Sequence, residues 1–388
     1  MVVAPSTSPL RPFVVCAALR GVTFTPARYA SFIDLQDKLH QNICRRRTLV
    51  AIGTHDLAAL TPPFRYACEA PDAFSFVPLA QTRAFTGTAL LDFYRTDPSV
   101  KHIRPYVDIV GGAPALPLIR DAAGVVLSLP PLINGEASKI SLATRDVFVE
   151  CTATDLAKAH TVLNTLISMF CEYAAVPFQV ETVAVEYEAP VVAFIGVADA
   201  SGATSTVVAA QTTPDLAARV ATASPRAIAS IVGADIAPER CAALLSKMGL
   251  TAGVVRGDAR AAAAAEAVAS ARGGGITASP PAAGAPPEDA LLRVLVPPTR
   301  ADVIHECDVA EDVAIAFGYN NIARTLPRGA TTGGQLPVNA LTDKLRAELS
   351  AMGCDETLTL ALVSRKDNYE DMLLADDGKA VVLANPQR

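Results

Sequence analysis

The chain has 388 residues, 51% of them apolar and 19% charged, with a formal net charge of −6. The length sets an expectation of two or three domains, and the composition excludes a disordered chain. The negative balance argues against broad, non-specific binding to nucleic acid.

The eight cysteines are scattered and never form a CxxC pair, which excludes a zinc site of that kind and a dense disulfide frame. No apolar run reaches membrane-spanning length. Reduced thiols, a cytoplasmic location and no membrane partner are therefore expected.

After a short lead over residues 1–9, "FVVCAALRGVTF" reads as a strand that enters an existing domain. Next comes an amphipathic helix with Phe32, Leu35, Leu39 and Ile43 on one side. It ends at the basic triplet Arg45, Arg46 and Arg47, which could touch phosphate but reads first as a partner for the helix dipole, and a buried strand follows. Strands are expected around 116–119, 125–129 and 147–151, then a helix over 154–171, capped by Thr154, with Leu163, Leu166, Ile167 and Phe170 facing inward. "VVAFIGV" closes this region as a strand. Strands mixed with helices over 10–197 make an α/β or mixed α+β domain.

Beyond it, "SPRAIASIVG" and "APERCAALLSKMG" are short helices with proline near the start and glycine at the end, a helix-turn-helix-like pair. Residues 252–289 are rich in alanine, glycine and proline and read as an insertion with little fixed structure. "LLRVLVPPTR" resumes as a strand. A helix over 339–352 and a last strand "AVVLAN" follow, as if a further domain were half built.

Two stretches are candidates for chemistry. In "VPPTRADVIHECDVAEDVAIAFGYNNI", a helix read from about Val303 puts Asp308, Glu311 and Asp312 on one face, with Asp302 just ahead. No lysine or arginine follows Arg300 until Arg324. Hard oxygen ligands at this spacing suit magnesium, and they equally suit a solvated helix start. His305 and Cys307 read as packing residues. In "LSLPPLINGEASKISLATRDVFVECTATDL", a tight turn at Asn134-Gly135 would let Ser128, Asn134, Glu150, Thr152 and Thr154 converge as a polar-ligand site. Turn and cap chemistry accounts for the same residues. No phosphate-binding glycine loop, GxSxG elbow or HExxH pair occurs.

These two stretches, with "RPFVVCAALRGVTF" and "SFIDLQDKLHQNICRRRTLVAIGTHDL", carry a close resemblance to the β subunits of cytosolic, archaeal/eukaryotic-type phenylalanyl-tRNA synthetases. The resemblance implies a tRNA-editing domain over 10–197 that hydrolyses tyrosine wrongly attached to the phenylalanine tRNA. It implies a helix-turn-helix-like domain over 206–327 carrying the insertion 252–289. The start of a catalytically inert class II synthetase-like antiparallel-sheet module would follow over 328–388. A further N-terminal domain and the rest of that module are expected to be missing.

The family's editing positions fall on Leu118, Ser128, Asn134, Glu150 and Thr152. Ser128, Asn134 and Thr152 are expected in catalysis, with Leu118 and Glu150 binding substrate. Its magnesium site, shared with the α subunit, falls on Asp302, Asp308, Glu311 and Asp312. The implied assembly is an α2β2 tetramer with tRNA(Phe) as partner, in which the α subunit uses ATP to charge the tRNA. A non-catalytic scaffold that has lost editing is the alternative.

Overall fold

The computed structural model describes residues 1–194, 205–257, 259–270, 290–326, 329, 331 and 333–384. It divides into two units, Met1–Ala323 and Arg324–Arg388. The expected strand tail 195–197 and insertion residues 271–289 lie outside the described residues.

The first unit begins with β1 (Val2–Val3), β2 (Phe13–Leu19), α1 (Pro26–Gln41), β3 (Val50–Asp56) and β4 (Arg65–Glu69). The small hairpin of β5 (Ser75–Phe76) and β6 (Phe85–Thr86) comes next, then α2 (Gly87–Thr96) and α3 (Arg104–Val107). After these come β7 (Leu116–Arg120), β8 (Val126–Leu129), β9 (Ile133–Asn134), β10 (Val147–Ala153), α4 (Leu156–Phe170), β11 (Glu181–Phe194) and β12 (Ser205–Thr213).

Ten of these strands form one sheet in the order β3-β10-β2-β11-β1-β4-β7-β8-β9, with β12 added on β11. Every residue of β2 and of β10 is buried, which is why both read as unbroken apolar runs rather than as alternating strands. Helices α1 and α4 supply Phe32, Leu163, Leu166 and Phe170 to the core over this end. A second core, built on Phe74, Phe85, Leu90, Tyr94 and Leu118, lies under α2 and the β7–β8 end.

A three-stranded antiparallel sheet follows, ordered β13 (Arg219–Ala223), β15 (Leu291–Val296), β14 (Thr251–Val255). The two short helices α5 (Pro225–Val232) and α6 (Pro238–Lys247) form as expected, and Gly233 ends the first in the left-handed conformation at φ 76°. Their apolar faces (Ile228, Val232, Leu244, Leu245) share one core with Val309 and Val313 of α8 (Glu306–Phe317).

Several expectations change. The stretch 252–289 is not wholly unstructured, because β14 extends into it and α7 (Ala259–Ser270) lies within it. Alanine has the highest helix propensity of any residue, and Ala263 and Ala267 are buried. Asp155, not Thr154, caps α4 by accepting the Lys158 N–H at 3.0 Å. The tight turn between β8 and β9 is at 129–132, where the Leu132 N–H bonds the Leu129 carbonyl at 2.9 Å, rather than at Asn134-Gly135. Gly135 instead lies against the neighbouring strand, where a Cβ would come 2.4 Å from the Val126 carbonyl oxygen.

The second unit carries α9 (Pro337–Ala351), close to the expected helix. Over 380–384 the expected last strand is not formed, and Asn385 lies outside the described residues. A strand-prone segment needs a ladder partner, and among the described residues of this unit none is offered.

Candidate active site at a sheet edge

Strand β3 ends the large sheet, so its outward backbone groups lack a neighbouring strand. Side chains take that place. Gln36 Nε2 donates to the Ile52 carbonyl at 3.2 Å, and His40 Nε2 accepts the Ile52 N–H at 2.9 Å. Asn134 Nδ2 reaches the Thr54 carbonyl at 3.4 Å from β9. An imidazole nitrogen that accepts an N–H is unprotonated. Burial first, then the positive charges of Arg47 and Arg11, pushes His40 down to about 3.

Between this edge, the end of α1 and the β8–β9 hairpin lies a cleft with ≈ 430 Å³ of empty space, part of it open to solvent. Its lining includes Gln36, His40, Arg47, Leu79, Ser128, Pro130, Pro131, Asn134 and Glu150.

Glu150 sits in the middle of β10, in register with Cys16 of β2 and Gly53 of β3, and is 1% exposed. A carboxylate there needs room and a donor. Gly53 gives the room, since a Cβ on it would lie 2.1 Å from Glu150 Oε1. Ser128 gives the donor, its Oγ bonding Oε1 at 2.8 Å. The other oxygen, Oε2, is buried with no hydrogen-bond partner among the described residues.

His55 lies on the same face, two residues from Gly53. Its Nδ1 is 2.8 Å from Ser138 Oγ, and its Nε2 is 3.8 Å from Glu150 Oε1.

The basic triplet does more than end a helix. Arg45, Arg46 and Arg47 all have positive φ (46°, 53° and 65°), a left-handed turn that costs roughly 1–2 kcal/mol per non-glycine residue. Arg11, 2% exposed, holds it: Nη1 donates to the carbonyls of Arg47 at 3.2 Å and Thr48 at 3.0 Å, and Nη2 to that of Thr152 at 2.8 Å. The turn delivers Arg47 into the cleft, where its guanidinium stacks 4.5 Å from the Tyr106 ring centroid and donates to the Leu132 carbonyl at 2.9 Å. Arg45 and Arg46 stay exposed.

Of the five expected pocket residues, Ser128, Asn134 and Glu150 line the cleft. Thr152 is buried one step further along the same face, its Oγ1 without a hydrogen-bond partner among the described residues. Leu118 belongs to the second core. Sequence reasoning missed Gln36 and His40, whose spacing of four on a helix was a usable signal, and Gly53 and His55, which it had no way to set against Glu150.

The acidic helix is arranged differently from the expectation. Helix α8 starts at Glu306, so Asp302 and Val303 precede it, and His305 occupies the N-cap. The basic partner expected to be missing is Arg300. Its guanidinium bonds Asp302 at 2.7 Å and Asp312 at 2.8 Å, and the Asp312 side chain is only 5% exposed. Asp308 turns back to accept the N–H groups of Ile304 at 2.7 Å and His305 at 2.6 Å, a cap on the helix start. Glu311 is exposed, as are His305 and Cys307, which are not packing residues.

Among the described residues no group of three or more histidine, cysteine, aspartate or glutamate side chains is placed to hold a metal ion. The four carboxylates have the right chemistry for magnesium, but in this chain alone they do not form its site.

Comparison with known proteins places this architecture. Residues 17–187 match the family model described as B3/4 domain, and residues 221–319 match the tRNA synthetase B5 domain. The chain is thus built from modules of an aminoacyl-tRNA synthetase. Residues 322–388 match the phenylalanyl tRNA synthetase beta chain CLM domain. The chain is 42% identical over its full length to the phenylalanine–tRNA ligase beta subunit of Caenorhabditis elegans, covering 57% of that protein. It is 40% identical to the Homo sapiens beta subunit, again covering 57%, and 41% identical to the Arabidopsis thaliana beta subunit named cytoplasmic, covering 56%.

The chain is similar along its whole length to phenylalanyl-tRNA synthetase β chains, and it spans a little over half the length of these relatives. An N-terminal fragment of the Pyrococcus horikoshii beta subunit shares the fold, with a TM-score of 0.61 at 24% identity over 82% of this chain and 74% of that one. Among the described residues no helix is long and apolar enough to cross a membrane.

Proposed function

We propose that this chain acts as the β subunit of a cytoplasmic phenylalanine–tRNA ligase and that its cleft hydrolyses tyrosine mistakenly esterified to tRNA(Phe). Attachment of phenylalanine, with ATP, is the work of an α subunit in an α2β2 assembly. The observation that carries the editing half is Glu150, a buried carboxylate with one oxygen held by Ser128 and the other without a partner among the described residues. An acceptor buried in this way costs about 1–3 kcal/mol until a donor arrives. The phenolic hydroxyl of tyrosine is such a donor, and phenylalanine has none. A pocket built around a hydroxyl discriminates well against the analogue lacking it.

Hydrolysis then rests on positioning. Ser128 and Asn134 offer polar groups at the cleft wall to orient the ester and a water, and Thr152 supports β10 beneath them. Arg47 sets a positive charge beside the path of an anionic tRNA end. Positioning and fixed dipoles supply a large share of ester hydrolysis without a strong base. Leu118 acts from the core behind the β7–β8 wall.

Magnesium at Asp302, Asp308, Glu311 and Asp312 belongs to this reading only as a site completed by the α subunit. Asp302, 63% exposed, is the carboxylate free to leave Arg300 for it.

The test is hydrolysis of preformed tyrosyl-tRNA(Phe) by the chain, with and without the α subunit. The expected result is hydrolysis that prefers the tyrosyl over the phenylalanyl ester. In Glu150→Ala that preference falls about 10- to 150-fold, the worth of one charge-assisted hydrogen bond. No hydrolysis in either setting would leave a scaffold, and full tyrosine preference in Glu150→Ala would remove the role assigned to that residue.

A further inference from the structure

We propose that His55 is a positioning residue for Glu150. Anchored by Ser138, it turns an Nε2 proton toward Oε1, so that Oε1 is committed to the protein and Oε2 to the ligand. This rests on the reading of the cleft as a pocket that recognises a hydroxyl.

Three polar groups are enclosed together. His55 and Ser138 are fully buried and Glu150 nearly so. Ser138 is fixed in the Glu136–Ser138 turn, which is tied down by the Glu136 N–H to the Val77 carbonyl at 2.9 Å and by the Ala80 N–H to the Glu136 carboxylate at 2.7 Å. That fixes the hydroxyl 2.8 Å from His55 Nδ1.

Suppose first that the neutral ring carried its proton on Nδ1. A bare lone pair on Nε2 would then face the Glu150 oxygen at 3.8 Å in a dry site, two acceptors with nothing between them. The two remaining states avoid this. Either Ser138 donates to Nδ1 and Nε2 bears the proton, or the ring is an imidazolium with a proton on both nitrogens. Both states point an N–H at Oε1.

At 3.8 Å this is electrostatic attraction rather than a hydrogen bond. Its effect is geometric. Ser128 and His55 both address Oε1, and Gly53 leaves the space in which all three meet. Oε2 is left buried with its lone pairs unengaged by the described residues, on a side chain that lines the cleft. His55 does not itself line the cleft, so it acts through Glu150.

Two measurements on the full chain decide this. The histidine nitrogen spectrum should show His55 protonated at Nε2, and an unprotonated Nε2 overturns the proposal whatever the enzymology. In ester hydrolysis, His55→Leu should lower the preference for tyrosyl over phenylalanyl ester, because Oε1 loses the positive end of the ring N–H 3.8 Å away. His55→Gln, whose amide N–H reaches the same carboxylate, should recover most of it. Unchanged preference in His55→Leu, or equal loss in Leu and Gln variants that both fold, overturns the proposal.

Should His55→Leu fail to fold, Ser138→Ala removes only the hydroxyl and is expected to lower the preference in the same direction; no change there also overturns it. If the wild-type chain hydrolyses neither ester, the editing reading fails separately, and the nitrogen spectrum still decides the role of His55.

Discussion

Replacing Arg300 with methionine keeps the aliphatic stem and removes the charge that two carboxylates share. The losses are unequal. Asp302 is 63% exposed, and a surface pair of that kind contributes about 0–1 kcal/mol. The Asp312 side chain is 5% exposed, and stripping a buried carboxylate of its partner costs about 3–5 kcal/mol in a closed site. Arg300 is itself 23% exposed, so water can follow the shortened side chain in and recover part of that cost. About 2–4 kcal/mol is expected at pH 7, nearly all of it through Asp312.

The pH dependence carries the sign. Burial already holds Asp312 above the usual aspartate range against the pull of Arg300, so removing the arginine raises it further. A raised carboxyl is penalised only while ionised, so the destabilisation should be full at neutral pH and shrink as the solution is acidified. Urea unfolding gives the size, and hydrogen exchange of the α8 amides gives the place. A loss below about 0.5 kcal/mol at pH 7, or one that grows toward acid, would show that Asp312 does not depend on Arg300 in this way.

Gly53→Ala should abolish tyrosyl preference and destabilise by about 1–3 kcal/mol, because its methyl group would come 2.1 Å from Glu150 Oε1 and force that carboxylate to move; a fully active, stable variant contradicts this packing. His40, lowered to about 3, binds its proton more readily in the unfolded chain. The stability it contributes is therefore full above about pH 6.5 and is lost as pH falls toward 3, on the order of 5 kcal/mol across the window. His40→Gln, which keeps an acceptor for Ile52, should flatten that slope in acid unfolding curves. Arg11→Met should free the left-handed turn and speed tryptic cleavage at Arg45 and Arg46 while sites in β-strands stay protected; an unchanged digest would show that the turn holds without it.

Local pattern alone determined much of this protein. The apolar runs of β2 and β10, the inward stripe of α4 and the proline and glycine ends of α5 and α6 are short-range signals, and the elements formed where those signals placed them. The resemblance carried by a few long motifs pointed to the family and to Ser128, Asn134 and Glu150. Chain order also sets Arg300 twelve residues before Asp312 in plain view, yet spacing does not reveal the pair, because α8 starts later than its carboxylates imply and folds Asp312 back onto the arginine.

What tertiary structure alone decided lies across long separations. Glu150 meets Ser128 because β8 and β10 come together, and it has space because β3 brings Gly53 into register with it. Arg11 stabilises a turn more than thirty residues away, and His55 is oriented by a serine in another loop. Periodicity fixes which face a side chain takes. Only the pairing of distant strands fixes what it faces there, and the chemistry of this cleft depends on the second.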